Sequence, residues 1–132
     1  MFEQDYLMRL IMQLIEAIKQ SMIRAQDDHD PASAALLLEE AVSTTTDLDG
    51  SVLLNLAPSS IADILSISNM DKDAIQYVGR SFYLISRYWQ EAGDTALASL
   101  RKQQAMALSD RFGFDLNMED IYNIDNDPNT KM

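Results

Sequence analysis

Residues 71–94 read DKDAIQYVGRSFYLISRYWQEAGD, and the fold class turns on how this stretch is read. The run Phe82-Tyr83-Leu84-Ile85 alone suits a strand, because aromatic and β-branched residues favour the pleated conformation. Ile75, Val78, Phe82, Ile85 and Trp89, however, step by three and four residues. That spacing gathers them on one face of a helix and scatters them over both faces of a strand. The stretch is therefore a helix that starts after Asp71, runs to about Ala92 and stops at Gly93.

Working outward, Asp94 is placed to cap the next helix, which carries Ala98, Ala105 and Leu108 and ends near Gly113. Upstream, Pro58 and the pair Ser60…Asp63, spaced like a capping box, open a helix through Ile61, Ile64, Leu65 and Ile67. Asp49 caps a short helix through Val52, Leu53, Leu54 and Leu56. Asp30-Pro31 opens one that reaches about Thr45. The first helix spans about Glu3 to Arg24. Its polar residues Asp5, Arg9, Gln13, Glu16, Gln20 and Arg24 form a narrow row, and the rest of its girth is mostly apolar. Such a helix must be covered on more than one side. Gly50, Gly93 and Gly113 fall between patterned segments, where glycine commonly ends helices. The expectation is an all-α, irregular bundle of five to seven helices. Two long hairpins, helices 1–2 and 5–6, would flank the short helices 3 and 4. Residues 1–124 form one domain, with a turn at Met118–Tyr122, and residues 125–132 form a flexible tail.

Charge narrows the function classes. The chain carries a net −11 and no cysteine. Residues 27–50 hold seven carboxylates and no Lys or Arg, whereas residues 1–26 and 51–112 are each balanced. This surface repels phosphate backbones, so nucleic acid is disfavoured as a partner. Without cysteine there is no disulfide scaffold and no thiolate metal site. The opening Met1-Phe2-Glu3-Gln4-Asp5 is acidic where a secretory signal would be basic. No apolar run reaches the ~20 residues of a membrane span. A cytoplasmic protein with no membrane partner is expected.

Candidate chemistry is sparse, and no cofactor is implied. Asp27-Asp28-His29-Asp30 is the densest ligand-like cluster, but consecutive residues cannot all converge on one ion, and an Asp30 cap explains it as well. Asp47-Leu48-Asp49-Gly50 resembles part of a calcium loop, yet Thr45 and Leu56 stand where the first acid and the bidentate Glu belong. Glu39 and Glu40 point about 100° apart on a helix, and nothing in the sequence selects a partner for either. Arg80, Tyr83 and Arg87 share one face of the fifth helix. With Tyr77 and Tyr88 they form the candidate ligand or partner face. Met8, Met12, Ile15 and Met22 form the candidate self-association face of the first helix, where methionine suits an adaptable contact.

Two resemblances follow from these residues. Trp89-Gln90-Glu91-Ala92-Gly93-Asp94, followed by Ala98 and Ala105, resembles the turn and second helix of a tetratricopeptide repeat. Ala34 and Ala41 repeat the same seven-residue spacing, two helical turns, which lets a neighbouring helix approach closely. The opening Phe2-Glu3-Gln4-Asp5-Tyr6-Leu7-Met8-Arg9, together with Asp47-Leu48-Asp49-Gly50, resembles an uncharacterised family of small bacterial all-helical proteins. That resemblance implies a fold and no activity. The expected function is a non-enzymatic protein-interaction or scaffold role. It involves a homodimer and a basic protein steered by the acids between Asp27 and Asp49. The alternative is a small-molecule-binding protein or enzyme for a small charged ligand, with a cleft lined by Tyr77, Arg80, Tyr88 and carboxylates of the second helix.

Overall fold

The computed structural model describes residues 2–117 apart from Asp47 and Asn69. The turn expected at Met118–Tyr122 and the tail at 125–132 lie outside the described residues. Within them the chain forms helices α1 (Phe2–Gln26), α2 (Pro31–Thr46), α3 (Gly50–Leu53), α4 (Pro58–Ile67), α5 (Lys72–Ala92) and α6 (Thr95–Phe112), and no strand. The class is all-α, as the three-and-four spacing requires. None of these helices is long and apolar enough to cross a membrane.

Short polar side chains set most helix starts. The Asp30 carboxylate accepts the Ser33 N–H at 3.1 Å ahead of α2, and Asp49 accepts the Ser51 N–H at 2.9 Å ahead of α3. Asp71 and Asp94 do the same for α5 and α6, through the N–H groups of Asp73 and Leu97. Each carboxylate satisfies a donor that the helix itself leaves unpaired. Gly93, at φ 91°, ends α5 in the left-handed conformation that a Cβ would strain.

Three local expectations are corrected. Gly50 opens α3 rather than ending a helix, because α2 already stops at Thr46. Helix α3 is shorter than its apolar run: it ends at Leu53, so Leu54 and Leu56 lie beyond it. The Ser60…Asp63 capping box does not form. Helix α4 starts at Pro58 after an extended Ala57 with no side-chain cap, which puts Ser60 and Asp63 inside the helix. Proline restrains the residue before it to extended backbone, and that places the boundary earlier than the capping pattern suggests.

Helix α1 packs on α2 and α5 on α6, giving the two expected hairpins. They do not flank the short helices. Helix α2 lies directly against α5, which joins the hairpins, while α3 packs on α2 and α4 on α6. The core explains this order. Leu14, Ile15 and Ile18 of α1, Leu38 and Val42 of α2, and Val78, Phe82 and Ile85 of α5 are all buried in one cluster. Each such side chain contributes about 1.5–3 kcal/mol by leaving water. Ala34 and Ala105 have no exposed surface, as small residues at close helix contacts require. The polar row Arg9, Gln13, Glu16, Gln20 and Arg24 faces solvent. Helix α1 is also tied to α5 by a hydroxyl pair, with Ser21 Oγ 2.8 Å from Tyr88 Oη. Ser21 donates its own proton to the Ile18 carbonyl at 2.7 Å, so Tyr88 is the donor within the pair.

Candidate functional sites

The most constrained polar cluster in the fold joins residues the sequence leaves unconnected. Arg101 of α6 donates from Nε to Glu39 Oε2 of α2 at 2.8 Å, and Trp89 Nε1 of α5 donates to the same oxygen at 2.7 Å. A second Arg101 nitrogen reaches the Leu54 carbonyl at 2.6 Å and Gln104 Oε1 at 3.1 Å. Gln104 in turn donates to the carbonyls of Leu54 and Leu56 at 3.1 and 2.9 Å. These carbonyls are accessible to side chains because α3 ends at Leu53. Glu39, Arg101 and Gln104 are all buried. Among the described residues no buried side-chain nitrogen or oxygen lacks a hydrogen-bond partner. The cluster is thus a satisfied polar joint between α2, the segment after α3, α5 and α6. The readable signal was register. Arg101 lies three residues after Ala98 and four before Ala105, on the face that alanine marks for packing.

The candidate partner face of α5 divides. Tyr77 and Tyr88 are buried in the core, so they cannot line an open cleft with Arg80. Burial follows from register, since both flank the stripe of Val78, Phe82 and Ile85. Arg80 donates to the Asp115 carbonyl at 3.4 Å and borders a depression of about 460 Å³ with Lys72, Asp73, Gln76, Phe112 and Phe114. Tyr83 and Arg87 border a different one, a groove of about 280 Å³ between α5 and α6. Lys102, Ser99 and Thr95 form its other wall. The carboxylates of α2 enter neither: Glu39 is held by Arg101, and Glu40 borders a separate hollow with Gln13, Leu37 and Thr44.

The candidate self-association face also divides. Ile15 is only 1% exposed, inside the chain's own core, and is not available to a partner. Met8, Met12 and Met22 are half-buried, and Met12 and Met22 pack against the core edge. Ile23, which the sequence reading did not single out, is 47% exposed. Met8, Met12 and Ile23 lie on one side of α1, because spacings of four and eleven residues are close to whole turns.

In the loop between α1 and α2, Asp27, Asp28, His29 and Asp30 are all exposed. His29 adopts φ 53°, a left-handed conformation, as the chain turns between the two helices. The carboxylates do not gather: among the described residues no three His, Asp or Glu side chains come together as a metal-binding group. Asp49 is exposed, and its carboxyl is held below the usual aspartate range. The Ser51 hydroxyl contributes most, followed by the backbone N–H groups of Ser51 and Val52, which favour the charged form. No protein-family model, curated protein or solved structure matches the chain.

Proposed function

We propose that the chain acts in the cytoplasm as a non-enzymatic protein-interaction module that self-associates through α1. The observation that carries this reading is the line of Met8, Met12 and Ile23 along one side of α1. It is apolar, packs on the core edge at Met12, and leaves nearly half of Ile23 in water. Leu36 of α2, at 58% exposed, adds apolar surface to the same hairpin. Burying such side chains against a second copy removes them from solvent, and a two-fold pairing is the commonest arrangement. The antiparallel α5–α6 hairpin, with Ala98 and Ala105 buried, supports a tetratricopeptide-like module. Asp27, Asp28 and Asp30 form an exposed anionic loop suited to steering a basic protein.

Sedimentation tests the reading. The wild-type chain at micromolar concentration should run as a dimer. Met12→Glu with Ile23→Glu should shift it to monomer while its far-UV helical spectrum is retained. A wild-type monomer at every concentration, or a dimer that the double variant leaves intact, would remove α1 from the interface.

A further inference from the structure

We infer that the groove between α5 and α6 docks a short acidic peptide segment of another protein. This site is separate from the α1 face and does not depend on self-association. Its walls are Tyr83, Arg87 and Gln90 on α5 and Thr95, Ser99 and Lys102 on α6. Four arginines elsewhere in the fold are engaged: Arg101 with Glu39, Arg111 with Asp63, Arg24 with Ser33, and Arg80 with the Asp115 carbonyl. Arg87 and Lys102 are exposed, and neither has a hydrogen bond or ion pair with another described residue. No carboxylate lines the groove. The acids nearest in sequence are Glu91 and Asp94, and Asp94 is engaged in capping α6 through the Leu97 N–H.

Size and charge select the occupant. From Thr95 to Lys102 the α6 wall rises about 10 Å at ~1.5 Å per residue. An extended peptide covers that with about three residues at ~3.3 Å each. The Arg87 guanidinium offers a planar fork that matches a carboxylate, Lys102 supplies a second positive charge, and the Tyr83 ring gives the intervening chain an apolar wall. The protein as a whole carries −11 and repels large anions. A long polyanion such as nucleic acid would meet that repulsion along its length. A short segment meets chiefly the two local cations, because exposed charges are screened beyond about 10 Å at moderate salt.

The test uses the full chain and a fluorescein-labelled peptide of alternating Glu and Ser, with the matching Gln–Ser peptide as control, read by anisotropy. The Glu peptide should bind and the Gln peptide should not. Arg87→Ala with Lys102→Ala should weaken binding by about tenfold or more, as loss of charge-assisted hydrogen bonds does. Arg87→Lys with Lys102→Arg should retain most of it. Arg9→Ala, at an exposed cation on α1, should leave it unchanged. Equal binding of both peptides would overturn the inference. So would full binding by the double alanine variant, or equal weakening by Arg9→Ala, which would show only bulk attraction. Arg87 and Lys102 are exposed, so an unchanged thermal melt is expected of the double variant. If it melts early, the swapped variant decides: retained binding supports the site, and lost binding with an intact melt refutes it.

Discussion

Glu39 and Arg101, 62 residues apart in sequence, meet as a buried ion pair at 2.8 Å, with side chains only 9% and 4% exposed. The pair joins α2 to α6, two helices that each pack on α5. Removing one partner strands the other as a buried, unpaired charge. Arg101→Ala should therefore destabilise the fold by about 3–5 kcal/mol in urea unfolding, the range for breaking a buried pair from one side. Arg101→Lys should recover little, because an ammonium cannot reproduce the fork that spans Glu39 and the Leu54 carbonyl. A loss below about 1 kcal/mol for Arg101→Ala would place the pair among solvent-screened surface bridges.

Gly79 lies in the middle of α5, where glycine ordinarily weakens a helix, yet it seats the ring of Phe114. A Cβ at position 79 would stand 2.8 Å from Phe114 Cε1, and Cζ would be closer still. The backbone that carries the ring is anchored, since Phe114 bonds Ser109 through both its N–H and its carbonyl. In an open helix Gly79→Ala would stabilise by about 1 kcal/mol. Here overpacking at about 1–3 kcal/mol should win, and the variant should unfold at lower denaturant. Combining it with Phe114→Ala should make the alanine at 79 favourable again, a sign reversal that a double-mutant cycle would measure. If Gly79→Ala is stabilising by itself, the ring does not rest there.

Asp49 should titrate below an ordinary aspartate when its carboxyl is followed by NMR. The Ser51 hydroxyl, the Ser51 N–H and the Val52 N–H all favour its ionised form. A depressed folded-state pKa contributes stability that is present above the unfolded value and lost as pH falls through the folded value. The start of α3 should accordingly loosen on acidification, with amide exchange at Ser51 rising in that window. Asp49→Asn keeps a capping oxygen and should abolish the pH dependence while retaining α3. Ordinary titration of Asp49 in the wild-type chain would contradict the cap.

Much of the fold is readable locally. The three-and-four spacing of Ile75 through Trp89 excludes a strand whatever surrounds it, and Asp30, Asp49, Asp71 and Asp94 each act on N–H groups two or three residues away. Such signals need no knowledge of neighbours in space. The early end of α3 already exceeds them, since the stopping point leaves carbonyls that Arg101 and Gln104 take up from α6.

Partnership is what only the tertiary structure decided. In sequence Glu39 and Glu40 are an equivalent pair; one is buried against Arg101 and Trp89, and the other faces solvent. Tyr83 and Tyr88 read alike, yet Tyr88 donates to Ser21 in the core while Tyr83 borders the α5–α6 groove. Ile15 reads as one more apolar residue beside Met12 and is enclosed, whereas Ile23, two turns further on, is left in water. Periodicity states which residues share a helix face, because that geometry is intrinsic to the backbone. Which faces are covered, and by what, depends on α2 crossing α5, a contact between residues far apart in the chain. A polar side chain's role is set by the groups brought opposite it, and those groups are chosen by packing.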